Sequence, residues 1–411
     1  MKNPACLLAL FCLAAMMTAP ARSEENPATA SAGPVQFNRD VLPILSEHCF
    51  KCHGPDERQR ETKQRFDTRE GVERAVRKGF LVPGKPQESE LIERLLSEDE
   101  DEVMPPPGEK RRPSQEELTI LRRWIEQGAK WQDHWAFVVP ARQEPPAGGS
   151  LDKLNNPVDR FVSGKLQQSG LQPGPRAGRE VLLRRLSLDL IGLPPSQKDR
   201  ESFLSDKKPG AWERLVDRLL ASPQYGERMA LYWLDLVRYA DSVGYQKDSH
   251  QNIWLYRDYV IAAFNNNKPF DSFVREQLAG DLMKDPNGSA AQVAEWRIAS
   301  GFNRLNQTTS EGGAQAKEYM AKYAADRVRN TGAIFLGMTT GCAECHDHKY
   351  DPITSRDFYN FAAFFADLQE RGVGQPREVK LPTMEHILKV LPLEQELREL
   401  KELLSGKDIK D

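Results

Sequence analysis

Cysteine is scarce in this chain, with six in 411 residues, and neither sign of charge dominates. Fifty-seven Lys and Arg stand against 60 Asp and Glu, a formal net charge of -3. That balance argues against nucleic acid as the partner. Past residue 17 no long apolar run occurs, and mean hydropathy is low at -0.61. A membrane-spanning body is therefore excluded as an expectation. The sequence also lacks a phosphate-binding Gly-rich loop ending in Lys-Ser/Thr, a His-Glu-x-x-His and a Gly-x-Ser-x-Gly. The corresponding nucleotide, zinc-protease and serine-hydrolase chemistries have no motif here.

The few cysteines are not scattered. His48-Cys49-Phe50-Lys51-Cys52-His53-Gly54 places two Cys three positions apart with His directly after the second. That is the attachment pattern of a c-type haem. Each thiol can form a thioether to one porphyrin vinyl group, and the adjacent His faces the iron. The pattern returns as Cys342-Ala343-Glu344-Cys345-His346. A thioredoxin-like pair would need a βαβ unit around it, and none is patterned here. A zinc site would use the same residues but leaves unexplained why His follows the second Cys both times. The reading is two covalent haem c groups, at Cys49, Cys52 and His53 and at Cys342, Cys345 and His346.

The other two Cys, Cys6 and Cys12, fall in an N-terminal targeting segment. Lys2 is followed by an apolar run from Ala5 to Met17, and Ala19-Pro20-Ala21 fits a small-x-small cleavage site. The run is short for a transmembrane helix, and Phe11 before Cys12 fits a lipoprotein box poorly. Residues 1–21 are read as a signal peptide, with no membrane span after cleavage. The mature chain is exported to the periplasm or cell surface. It keeps four Cys, all in the two motifs, with none spare for a structural disulfide.

A flexible tether, 22–34, precedes a small helical domain, 35–140. Phe37–Leu45 reads as a short helix with Asn38 as a candidate cap. Ser89–Leu96 is another short helix, and the acidic run 98–102 is a solvated loop. That run could also dock a basic redox partner. The loop Val103-Met104-Pro105-Pro106-Pro107-Gly108 is stiffened against helix by its prolines. Met104, 51 positions after His53, is the candidate sixth ligand of the first iron; His/Met ligation suits electron transfer. Ser114-Gln115-Glu116-Glu117 is a capping box, followed by a helix carrying Leu118, Leu121, Trp124 and Ile125. An aromatic on it is expected to pack on the N-terminal helix. His134–Phe137 reads as an exit strand, and 141–157 as a linker.

A larger helical domain, 158–370, follows. Helices are expected over 180–190, 212–220, 227–243, 254–264, 270–282, 318–335 and 355–368. The aromatics Tyr232, Trp233 and Tyr239, and Phe358, Phe361, Phe364 and Phe365, are expected to pack on the core or a porphyrin. The tail, 371–411, ends in a leucine stripe at Leu393, Leu397, Leu400 and Leu404, a candidate partner helix. The fold class is mainly α, a small class I-like cytochrome c domain plus a larger helical one.

With these residues in view, the chain resembles planctomycete-type cytochrome c proteins. The first domain matches in Asp40–Leu45, Cys49–Asp56, Phe66–Arg69, Val82–Gly84, Met104–Pro106 and His134–Phe137. The second matches a domain of unknown function in Leu188–Pro195, Trp233–Asp241 and Cys342–Ile353. The resemblance implies haem binding and electron transfer at Cys49, Cys52, His53 and Met104. It supplies no substrate, electron donor or acceptor.

His346 is the proximal candidate of the second iron. Met338, Met320, Met283, Met229, His250 and His386 are all distal candidates, and no spacing rule separates them. A bound distal ligand makes the protein a relay. An open iron makes a peroxidase-like oxidoreductase the main rival, and a haem-containing surface assembly protein is a third reading. Asp347, His348 and Asp351 form a candidate metal cluster, with a solvated or propionate-facing role preferred. Glu311, Glu318, Asp326 and Arg327 are candidates for a pocket beside the second motif.

Overall fold

The structure, a computed structural model, describes residues 33–108, 112–146, 156–286, 288–374 and 378–405. The expected signal peptide, most of the expected tether and linker, and the end of the tail lie outside the described residues. The chain divides into two units, Met1–Val138 and Val139–Asp411. Both are mainly α. Among the described residues there is no strand, only one isolated antiparallel bridge between Ser242 and His250. No helix among them is long and apolar enough to cross a membrane.

The first unit holds α1 (Leu42–His48), α2 (Phe50–His53), α3 (Arg69–Arg77), α4 (Glu90–Leu96) and α5 (Gln115–Glu126). The expected first helix is split: a π-helical turn, Phe37–Val41, precedes α1. Pro43 sits in the first turn of α1 and has no N–H to give the carbonyl four residues back, so regular winding starts only there. Asn38 is not the cap. Its side-chain amide donates to the Asp133 carbonyl at 2.6 Å, joining the two ends of the unit.

The capping box at Ser114 and Glu117 is present and starts α5. Leu118, Leu121, Trp124 and Ile125 are buried against Phe37, Val41, Ile44 and Leu45. Phe37 lies 5.7 Å from Trp124 and 4.6 Å from Trp131, ring to ring, so the aromatic of α5 does meet the N-terminal segment. The expected exit strand is instead a 3-10 turn, Trp135–Phe137. The His134 ring accepts the Ala136 N–H, which coils the backbone locally, and no neighbouring strand offers an edge.

The second unit runs α6 (Pro157–Gln168), α7 (Arg179–Ile191), α8 (Gln197–Ser205), α9 (Ala211–Leu220), α10 (Pro223–Leu236), α11 (Trp254–Asn265), α12 (Phe270–Ala279), α13 (Ala290–Ala299), α14 (Ala316–Thr331), α15 (Ser355–Ala363) and α16 (Met384–Ser405). Its interior is in three parts. Leu183, Phe203, Leu215 and Leu219 join α7–α9. Tyr256, Tyr259, Phe273, Ile298 and Ile387 centre the largest part. Val328, Ala343, Phe358 and Phe365 form a small third part under the second Cys motif.

Three expected helices end early. α10 stops at Leu236 because Arg238 takes a left-handed conformation, φ 62°, and the Tyr239 N–H closes back on the Leu234 carbonyl at 2.8 Å. The Arg238 guanidinium is held there by both Asp326 oxygens, at 3.0 and 2.8 Å. α12 ends at Ala279, and α15 ends at Ala363. Two aromatics expected inside are outside: Tyr232 is exposed, and Phe364 is 84% exposed. The four stripe leucines of α16 are exposed too, while Met384 and Ile387 at its start are buried.

The largest core contains charge. Lys268 pairs with Glu276 at 2.5 Å and Glu295 at 2.8 Å, all three nearly buried, and Tyr259 donates to Glu276 at 2.6 Å. A buried triad of this kind is tolerable only because every member is paired.

Candidate functional site

The first motif is one helical turn grown from the end of α1. The Cys49 N–H donates to the Leu45 carbonyl at 2.8 Å, and the His53 N–H donates to the Cys49 carbonyl at 2.8 Å. Cys49, Cys52 and His53 thus fall at i, i+3 and i+4, on one face. Neither cysteine is in a disulfide. Burial, with Cys52 beside it, pushes the Cys49 thiol up to about 12.

His53 Nδ1 lies 3.0 Å from the Gln64 carbonyl. A carbonyl only accepts, so Nδ1 carries the proton and Nε2 presents its lone pair, the tautomer a metal requires. Burial lowers the imidazole's pKa, with the Gln64 carbonyl acting the other way. The Phe66 ring lies 5.2 Å from the His53 ring.

Gln64 is itself fixed, its amide donating to the Arg65 and Gly71 carbonyls at 2.9 and 2.8 Å, while its Oε1 is buried without a partner. Two glycines allow the loop to close this tightly. A Cβ at Gly54 would lie 2.2 Å from the Phe50 carbonyl oxygen, and one at Gly71 would lie 2.4 Å from that of Arg65. His48, next to Cys49, reaches Glu117 of the capping box at 3.3 Å. Met104 is half-buried, and its N–H donates to the Arg94 carbonyl at the end of α4, 2.9 Å away.

The second motif has the same winding. The His346 N–H reaches the Cys342 carbonyl at 3.3 Å. Its surroundings differ. Cys342, Cys345 and His346 are exposed, and of the five residues only Ala343 is buried. His346 Nδ1 lies 2.8 Å from the Asp347 carbonyl, which again leaves Nε2 outward. The turn is gripped from behind: Tyr359 of α15 donates to the Glu344 carbonyl at 2.9 Å, and Arg329 of α14 pairs with the Glu344 carboxylate. Met338 is buried, His250 and His386 are exposed, and Met229, Met283 and Met320 are half-buried.

Asp347, His348 and Asp351 do not make a metal site; no such group of His, Cys, Asp and Glu occurs among the described residues. His348 is buried rather than solvated. Its Nδ1 accepts the Asp351 and Tyr350 N–H groups at 2.8 and 3.2 Å, and Asp347 accepts the Ser355 N–H at 2.8 Å. They shape the loop into α15. Of Glu311, Glu318, Asp326 and Arg327, three have separate partners. Asp326 holds Arg238, and Glu318 holds Lys322. Arg327 is buried in a pair with Glu370. Consecutive residues on α14 point to different sides.

The donor set at the first motif fits a covalent haem: two thiols and a tautomer-locked imidazole share one face. A planctomycete cytochrome C model matches residues 49–108, and a model described as a protein of unknown function (DUF1549) matches 157–370, just over half of the chain. The chain belongs to this family. It carries a cytochrome c domain followed by the DUF1549 domain, and the cytochrome domain implies haem c and electron transfer. No curated protein matches the chain, and no solved structure does.

Sequence reasoning missed Gln64, Arg329 and the Lys268 triad. Glu276 carried a signal, since it shares the apolar face of α12 with Phe273. Gln64 and Arg329 carried none, because their roles depend on which loop returns to the motif.

Proposed function

We propose that this protein is an exported electron relay with two covalent haem c groups. The first is held by Cys49 and Cys52, with His53 and Met104 as axial ligands, in a domain spanning 35–140. The second is held by Cys342, Cys345 and His346 within 158–370. When bound, haem c supplies a one-electron Fe(III)/Fe(II) couple. The observation that carries the reading is the His53 imidazole, half-buried with Nδ1 tied to the Gln64 carbonyl at 3.0 Å. Gln64 orients the ring, Phe66 packs beside it, and α4 holds the Met104 loop by its backbone.

The test is a pyridine haemochrome assay on full chain matured in a cytochrome c-producing host, normalised to protein. Two haems per chain are expected, falling to one in Cys49→Ala and to one in Cys342→Ala. One haem in the unaltered chain sinks the second site, and none sinks both. A Met104→Ala variant should lose the charge-transfer band of methionine-ligated ferric haem. The exposure of His346 favours one rival at the second site: a five-coordinate iron there, shown by cyanide binding at that haem alone, would turn the relay reading into an oxidoreductase.

A further inference from the structure

Arg329 lies along the outer side of the second motif's turn. A Cβ at Gly341, the residue before Cys342, would sit 3.2 Å from Arg329 Cδ, so the arginine stem passes over the chain just before the first cysteine. Its guanidinium then ends on the carboxylate of Glu344, the residue before Cys345. One side chain therefore spans the turn that carries both thiols. Glu344 is fixed independently by the Tyr359 hydroxyl on its carbonyl, at 2.9 Å. Asp326, the carboxylate one turn earlier on α14, is engaged by Arg238.

The pair is only partly exposed, 43% for the arginine side chain and 35% for the glutamate. Two opposite charges are thus pinned beside the sulfur attachment points, with their fields largely cancelling at the face where Cys342, Cys345 and His346 emerge. We infer that Arg329 and Glu344 form a charge-compensating pair that keeps either charge alone from shifting the reduction potential of the second haem. The inference rests on the reading that this motif binds haem. Ferric haem carries one more positive charge than ferrous haem, and no bond changes as the electron arrives. An added negative charge nearby therefore favours the ferric form and lowers the midpoint, and an added positive charge raises it.

The test uses the full, haem-loaded chain in redox titrations followed by visible absorbance, where the first haem is the internal reference. Arg329→Gln leaves Glu344 uncompensated, and the second midpoint should fall. Glu344→Gln leaves Arg329 uncompensated, and it should rise. Each shift should change the ferric-to-ferrous ratio at fixed potential by roughly two- to tenfold, and should shrink as salt is added. The exchanged double variant, Arg329→Glu with Glu344→Arg, should return near the starting midpoint.

A purely structural role would move both single variants the same way, and would overturn the inference. So would a shift in Arg329→Gln alone, which would mean the arginine acts without its partner. Those outcomes occur with two haems per chain and leave the two-haem reading intact. A chain with one haem would remove that reading and this inference together.

Discussion

The two Cys-x-x-Cys-His turns are wound alike and housed differently. In each, the His N–H returns to the carbonyl of the first Cys, at 2.8 Å for His53 and 3.3 Å for His346. In each, Nδ1 is held by a backbone carbonyl. The first turn continues α1 and packs into the unit's one apolar core, and its histidine is steadied by a carbonyl eleven residues on. The second sits on the smallest core of its unit, shows its Cys and His side chains to solvent, and is steadied by the next residue and by a surface ion pair. The attachment chemistry is therefore a property of five residues, whereas the dielectric and solvent access around it come from distant chain. Those are the levers that set a haem's potential.

The comparison can be broken most severely away from both motifs. Lys268→Met leaves Glu276 and Glu295 buried without their cation, and should cost about 3–5 kcal/mol in urea unfolding of the second unit. If the second turn depends mainly on its own small core, haem attachment at Cys342 and Cys345 should persist under conditions where the variant is still folded. Loss of that haem alone in the folded variant would show that the large core supports the turn after all.

Glycine substitution separates the two sites directly. Gly54→Ala meets a backbone oxygen at 2.2 Å, which cannot yield without moving α2. It should cost about 3 kcal/mol and reduce haem yield at the first motif. Gly341→Ala meets only the flexible Arg329 stem and should stay within about 0.5 kcal/mol of the parent chain. Equal losses would mean the second turn is as rigidly enclosed as the first. Ala343→Val should fall between, at about 1–3 kcal/mol, because Ala343 is the one fully buried residue of that motif.

What was legible in the sequence follows the same division. The capping box at Ser114 and the cores of most helices are local patterns, and they hold. Helix ends were less legible where a distant partner decides them. α10 ends at Arg238 because Asp326, 88 residues away, rewards a left-handed arginine. His348 read as solvated or propionate-facing from its neighbours Asp347 and Asp351. Only the fold shows two backbone N–H groups turned onto its ring. That the first Cys pair is half-buried and the second exposed could not be read from five residues repeated nearly unchanged.

A small effect with a pH signature is expected at Glu117, which joins the first motif to α5. Its carboxylate accepts the Ser114 N–H at 2.7 Å and meets His48, the residue before Cys49, at 3.3 Å. Burial acts to raise its pKa, but the Ser114 N–H and His48 outweigh it and hold it below the ordinary 4.5. The unfolded chain thus binds this proton more readily than the folded one. The stabilisation is complete above about pH 4.5 and is lost as pH falls through the lower folded value. Glu117→Gln keeps much of the cap geometry but not the charge, and should cost up to about 1 kcal/mol at pH 7. The gap to the parent chain should close below pH 4.5 when urea unfolding is followed at pH 7, 5 and 3. A gap that stays constant would mean that only the cap's shape counts.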